Sequence, residues 1–153
     1  MQVLEASENY FFQTALPILQ SEYEAILPHI AAGLSGRGSE CFGFDDDISR
    51  DHDCAVGFAI YLTRSAEVEH GFALMRFYRD LLKKHPPVQF DSAQSSKFGG
   101  AEHGVIVIED FFERHLGFPG APQTLQQWLY TPEYAFDEAV NGAIFCEIGR
   151  AHV

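Results

Sequence analysis

The sequence predicts an α/β (α+β) fold in which a small mixed sheet is flanked by helices. Strands are predicted at residues 30 to 35, 51 to 62 and 105 to 108, each of which contains a short apolar run. Longer segments with the helical spacing of apolar residues lie near residues 8 to 27 and 65 to 84. Because the two kinds of segment alternate along one chain, we expect the strands to form one sheet that the helices cover.

Capping residues and prolines set the bounds of the first predicted helix. Ser7 can act as the N-cap of a helix that runs to about Leu27. Pro17 is expected to kink or restart this helix, and Pro28 lies just beyond its end. The apolar run at residues 30 to 35 then predicts the first strand.

A second strand and a long helix are predicted in the middle of the chain. The run at residues 51 to 62 ends in eight mainly apolar residues, as a buried strand does. Ser65 is expected to cap the helix that follows, and this helix is expected to end before Pro86. The residues of the helix that we expect to face the core are Val68, Phe72, Met75, Leu81 and Leu82.

Polar and glycine-containing segments divide the rest of the chain. The polar loop from Asp91 to Gly104 has two interpretations, a lid beside a site or an ordinary surface loop. The strand expected at residues 105 to 108 follows it. Further features are expected after this strand: a helix opened by Asp110 and ended by Gly117, a helix opened by Thr124, and a tight turn at Asn141-Gly142.

Composition and charge limit the class of protein. Hydrophobic residues make up 46% and aromatic residues 14% of the 153 residues, enough for the core of one domain and too many for a disordered chain. No apolar run is long enough for a transmembrane helix and the chain does not start like a signal peptide, so we expect a cytoplasmic protein without a membrane partner. The net charge of −12 disfavours a nucleic-acid partner, because phosphate backbones are bound by basic surfaces.

The strongest functional signal is a Gly-Ser pair followed by two aspartates. Gly38 permits close approach of the backbone to a triphosphate, and Ser39 adds a hydroxyl and an amide donor. Asp51 and Asp53 enter the second apolar run, and alternate residues of a strand point to the same face. Their carboxylates can therefore share a divalent cation, Mg²⁺ or Mn²⁺. Six acids between residues 40 and 53 would attract such a cation.

A longer stretch around this signal resembles a known family. Residues 33 to 53 read Gly-Leu-Ser-Gly-Arg-Gly-Ser-Glu-Cys-Phe-Gly-Phe-Asp-Asp-Asp-Ile-Ser-Arg-Asp-His-Asp. This string resembles the bacterial family called domain of unknown function 4037, whose members look like divergent relatives of the polymerase-beta-type nucleotidyltransferases. The resemblance implies that Gly38 and Ser39 bind nucleotide phosphates and that Asp51 and Asp53 hold magnesium. It also implies a third carboxylate on a later strand.

Two interpretations stay open for this third carboxylate. Glu109, at the end of the strand predicted at residues 105 to 108, is the candidate metal ligand. Alternatively, Glu109 and Asp110 only mark the end of the strand and the cap of the next helix.

The sequence therefore predicts a metal-dependent nucleotidyltransferase in which Asp51 and Asp53 are the catalytic, metal-binding pair. It would move a nucleoside monophosphate from a nucleoside triphosphate to a small-molecule or protein acceptor. The rival interpretation is a non-catalytic nucleotide-sensing or protein-binding module that keeps the same fold. A histidine-aspartate phosphohydrolase built on His52 and Asp53 is a third interpretation, which requires an all-helical fold and so conflicts with the predicted strand at residues 51 to 62.

Other polar side chains carry weaker expectations. Arg37, between two glycines, either contacts phosphate or is a solvated residue of the turn. Five histidines lack the spacing of metal ligands, and we expect them on the surface or in loops: His29, His70, His85, His103 and His115.

The last six residues are expected to be foreign to the domain. Residues 148 to 153 match one reading frame of a common DNA-sequencing adapter, residue for residue. We therefore expect residues 1 to 147 to be a nucleotidyltransferase-like domain truncated at its C-terminus, and residues 148 to 153 to be an adapter-derived tail.

Overall fold

A four-stranded mixed sheet forms the centre of the molecule. The computed structural model describes residues 3–38, 41, 55–88 and 102–147. The strands are β1 (Ile30–Ser35), β2 (Ala59–Leu62), β3 (Gly104–Val107) and β4 (Gly142–Glu147), in the sheet order β3-β2-β1-β4. Strand β1 is antiparallel to β2 and to β4, whereas β2 and β3 are parallel. The predicted fold class, a small mixed sheet flanked by helices, is confirmed.

The predicted strands agree with the observed ones to different degrees. Strand β1 has the predicted bounds, because all six of its residues are buried and its apolar run is continuous. Strand β3 begins one residue earlier than predicted, and Ile108 already belongs to the next helix. Strand β2 covers only the last third of the run at residues 51 to 62, and residues 51 to 54 lie outside the described part of the chain.

The first face of the sheet is covered by the N-terminal helices and by α3. Helix α1 (Val3–Tyr10) continues through a π-helical segment (Phe11–Ala15) into α2 (Leu16–Glu22). Pro17, in the first turn of α2, cannot donate a backbone hydrogen bond, so the helix restarts there as expected. The prediction that Ser7 is an N-cap is wrong, since Ser7 lies buried within α1 and accepts a hydrogen bond from the backbone N–H of Gly57 at 3.2 Å.

Helix α3 (Arg64–Lys84) differs from its prediction in two ways. Its N-cap is Thr63, whose hydroxyl accepts a hydrogen bond from the backbone N–H of Ala66, and not Ser65. The residues that it buries are Gly71, Leu74, Phe77 and Leu81, whereas four of the five residues predicted to face the core are exposed: Val68, Phe72, Met75 and Leu82. The helix carries two apolar stripes, and its sequence does not say which of them meets the sheet.

The second face of the sheet is covered by α4 (Ile108–Leu116) and α6 (Glu133–Val140), with α5 (Leu125–Tyr130) between them in the chain. Gly117 ends α4 in the left-handed conformation, and Thr124 caps α5 through a capping box with Gln127, as predicted. The tight turn expected at Asn141-Gly142 is instead the passage from α6 into the edge strand β4. Gly142 has φ +118°, and an added Cβ there would collide with the backbone of Leu34.

Candidate functional site

The end of the sheet at which β1 finishes gathers the polar groups of interest. In the antiparallel pair Ile30 lies opposite Leu62 and Gly33 opposite Ala59, so β1 leaves the sheet at the end where β2 enters it. Gly36, with φ +113°, turns the chain directly after β1. Gly38 is buried two residues later, and its carbonyl accepts a hydrogen bond from the N–H of Cys41 at 2.9 Å.

The predicted site residues are only partly within the described structure. Gly38 lies at this end of the sheet, whereas Ser39, Asp51 and Asp53 lie outside the described residues. Within the described ranges no group of three or more His, Cys, Asp or Glu side chains is arranged to hold a metal ion.

Glu109 lies at the other end of the sheet. Because β3 is parallel to β2, the end of β3 lies beside Leu62, far from the turn after β1. Both carboxylate oxygens of Glu109 accept hydrogen bonds from the backbone N–H of Arg64, at 3.0 and 3.2 Å. Glu109 therefore caps the start of α3, and the structure does not bring it together with Gly38. The predicted role of Glu109 as a metal ligand stays a prediction.

A buried pair of hydroxyl groups lies beside the end of β1. The Ser35 and Tyr61 hydroxyl oxygens are 2.5 Å apart, and both side chains are buried. Burial raises the pKa of the Tyr61 phenol to about 12, with the hydrogen bond to Ser35 opposing this rise and the Glu102 carboxylate adding to it. Both hydroxyl groups therefore keep their hydrogens at neutral pH. One hydrogen is donated from one hydroxyl oxygen to the other, and the second hydrogen is available to a further acceptor.

A network of glutamate and arginine side chains surrounds His115 near the same end. The His115 side chain is only 3% exposed, with Nε2 3.1 Å from Glu102 Oε1 and Nδ1 3.4 Å from Glu138 Oε2. Each carboxylate also binds an arginine: Arg114 Nη2 lies 2.7 Å from Glu102 Oε2, and Arg37 Nε lies 3.0 Å from Glu138 Oε2. A doubly protonated imidazole ring can donate to both carboxylates at once.

This cluster joins several elements to the turn after β1. Glu102 comes just before β3, and its backbone N–H donates to the carbonyl of Ser35 at 3.1 Å. His115 belongs to α4 and Glu138 to α6, while Arg37 lies within the turn itself. The expectation that His115 is a surface or loop residue is wrong, because the helix packs its ring against Phe111 with the centroids 4.5 Å apart. Sequence reasoning missed the cluster because its members are far apart in the chain and share no motif.

An apolar cavity opens next to the hydroxyl pair. Its volume is about 290 Å³, near the lower limit for small-molecule sites. It lies between the second face of the sheet and helices α4 and α6, and small side chains on both sides leave the space unfilled. Its lining includes Ala31, Tyr61, Phe111, Phe112, Ala139 and Ala143.

Comparisons with known proteins do not assign a function to this chain. No family model, no curated protein and no solved structure matches this chain. No helix in the described ranges has the length and apolar character needed to cross a membrane.

Proposed function

We propose that this protein is a metal-dependent nucleotidyltransferase that moves a nucleoside monophosphate from a nucleoside triphosphate to a small-molecule or protein acceptor. Asp51 and Asp53 would hold Mg²⁺ or Mn²⁺, and Gly38 and Ser39 would orient the triphosphate. A metal held there would neutralise the charge that develops on the leaving pyrophosphate. An acceptor hydroxyl or amine would bond to the α-phosphorus and release its proton to water as the bond from that atom to pyrophosphate breaks.

The observation that carries this proposal is the antiparallel pairing of β1 with β2. The chain departs through Gly38 and returns toward Ala59 at one end of the sheet. In the sequence Ser39 directly follows Gly38, and Asp53 comes six residues before β2 begins. Because the described residues on both sides of this segment lie at one end of the sheet, the topology supports a shared site for the Gly-Ser pair and the aspartates.

Arg37 supplies a positive charge at this end. Its side chain is 54% exposed while Nε is held by Glu138, so the guanidinium is oriented and still reachable from solvent. A guanidinium beside a glycine turn suits a phosphate group, because it donates several hydrogen bonds in one plane. Of the two interpretations of Arg37, this geometry favours phosphate contact.

Two acids compete for the role of the third carboxylate. Glu109 is the candidate from the sequence, but it caps α3 at the far end of the sheet. Glu102 lies at the near end, where its backbone is bonded to Ser35. We therefore propose Glu102 as the acid that supports the site, and its arginine and histidine partners as the groups that orient it.

The apolar cavity is the compartment that we propose for the acceptor. It adjoins the Ser35–Tyr61 pair, whose spare hydroxyl hydrogen can be donated to an oxygen or nitrogen of the acceptor. Its mainly apolar lining favours an uncharged organic group over a phosphate.

One observation favours the alternative, a non-catalytic nucleotide-sensing or protein-binding module. Glu109 is fully engaged as a cap, and Glu102 is paired with both Arg114 and His115. A site whose third acid is neutralised by structural partners can keep nucleotide binding and lack turnover.

Release of pyrophosphate separates the two functions. The 153-residue protein is incubated with each nucleoside triphosphate, with magnesium or with a chelator, and with a mixture of hydroxyl and amine acceptors. We expect magnesium-dependent pyrophosphate that Asp53→Asn abolishes and that Asp46→Asn, a change in the flanking acidic segment, leaves largely intact. Nucleotide binding without pyrophosphate under every condition would instead support the non-catalytic module.

A further inference from the structure

Helix α3 carries an apolar stripe on the side that faces away from the sheet. Val68 is 83% exposed, Phe72 79% and Met75 63%, and Leu82 is also exposed. The same helix already buries Leu74, Phe77 and Leu81 in the core. Three large apolar side chains in a row on one exposed helix face are more than the scattered apolar residues of an ordinary surface.

The spacing of the exposed stripe is that of a coiled-coil seam. Steps of four and three residues alternate along the series Val68, Phe72, Met75, Arg79 and Leu82. Arg79 is the one charged member, and Asp80 holds its guanidinium with Nη2–Oδ1 at 3.0 Å. The alkyl part of an arginine can pack across such a seam while its charged end stays in water. Over 21 residues the helix is about 31 Å long, enough for a seam of several layers.

Opposite charges border one side of the seam. Glu69 follows Val68, and Arg76 follows Met75, so both lie on the same flank. The guanidinium carbon of Arg76 lies 5.3 Å from the centre of the Phe72 ring, which places its charge directly beside the stripe. The Glu69 side chain is 76% exposed, and its Oε2 lies 3.5 Å from Nε2 of the His70 ring.

We propose that α3 of a second copy of this chain packs antiparallel against this stripe. Phe72 would then lie across from the partner's Met75, and Val68 across from the alkyl part of the partner's Arg79. The same register places Glu69 near the partner's Arg76, and two-fold symmetry repeats this ion pair. A parallel pair would instead set Arg79 against the partner's Arg79 in one layer, so the charges select the antiparallel arrangement.

The proposed contact is a single helix pair and is small beside the roughly 800 Å² per partner of a standard interface. The dimer is therefore expected to dissociate on dilution. The proposal does not depend on the nucleotidyltransferase assignment.

Sedimentation velocity over a wide concentration range tests the proposal. We expect the wild-type protein to shift from monomer to dimer as concentration rises and Phe72→Glu to remain a monomer. Leu125→Glu, which changes an equally exposed apolar residue on α5, should dimerise like the wild type. Circular dichroism of each variant verifies that the fold is intact, since all the changed side chains are exposed.

Charge reversal tests the register. Glu69→Arg or Arg76→Glu alone should weaken the dimer about tenfold, because each breaks two symmetric ion pairs. The double variant Glu69→Arg/Arg76→Glu should recover the wild-type dissociation constant. A protein that is monomeric at every concentration, or a double variant no better than the single ones, would overturn the proposal.

Discussion

At the scale of single residues, His103 and His115 differ in what surrounds their ring nitrogens. His115 has a carboxylate facing each ring nitrogen. The His103 ring lies against Gly57, and its Nε2 is buried without a hydrogen-bond partner among the described residues. Burial lowers the pKa of His103 below the ordinary value of 6.5, which favours the neutral ring in the folded protein. The sequence did not distinguish them, since both were expected on the surface or in loops.

His103 should make the protein less stable in mild acid. The unfolded chain takes up a proton at this residue as pH falls through about 6.5, whereas the folded protein does so only at lower pH. The free energy of unfolding therefore falls as pH drops below 6.5, and this loss should be smaller in His103→Gln. Thermal melts between pH 7.5 and 5 measure the difference, with His85→Gln at an exposed histidine as control. Equal pH dependence in the wild type and in His103→Gln would refute this assignment.

Glu102 and Glu109 can be separated by matched substitutions. If the proposed function holds, Glu102→Gln should lower magnesium-dependent pyrophosphate release about tenfold or more, because Glu102 lies at the site end of the sheet. Glu109→Gln should leave the rate near that of the wild type and reduce the melting temperature, since it weakens the cap of α3. A loss of activity in Glu109→Gln alone would favour the assignment made from the sequence.

At the scale of elements, the prediction succeeded where local chemistry sets a boundary. Gly117 ends α4 because the left-handed conformation, at φ +84°, suits glycine. Strand β1 was predicted with its correct bounds because it is buried along its whole length and its residues are apolar or small. Prediction failed where packing decides. Helix α3 has two apolar stripes, and the apolar pattern alone does not say which one packs on the sheet. Strand β4 forms by pairing with the edge of β1, a contact between segments far apart in the chain.

The start of α3 gives a direct test of the revised boundary. Thr63→Ala should lower the free energy of unfolding by about 1 kcal/mol, because it removes the hydroxyl that accepts from the Ala66 N–H. Ser65→Ala should change it much less, although the Ser65 hydroxyl lies 3.0 Å from that of Thr63. Chemical denaturation of both variants measures the two values. The reverse order would restore Ser65 as the cap.

At the scale of the whole molecule, the sheet topology links fold to proposed function. The two apolar runs on either side of the acidic segment predicted both strands, and their antiparallel pairing is a finding of the structure. The cluster around His115 could not, because it depends on how α4, α6 and the residue before β3 meet at the turn after β1. The Gly-Ser pair and the aspartates were predicted as site residues from the sequence motif alone. Three of these four residues lie outside the described structure.

Thermal melts with magnesium and a non-hydrolysable nucleoside triphosphate test the central proposal most directly. A ligand that binds only the folded protein adds roughly 2.7 kcal/mol of stability at a hundred times its dissociation constant. We expect the melting temperature to rise with the two ligands together, Asp46→Asn to keep most of this rise, and Asp53→Asn to lose it. In the absence of metal, Asp53→Asn should melt at the wild-type temperature or above, because it removes one of two neighbouring negative charges. A melting temperature that does not respond to magnesium and nucleotide, or an unchanged response in Asp53→Asn, would contradict the account.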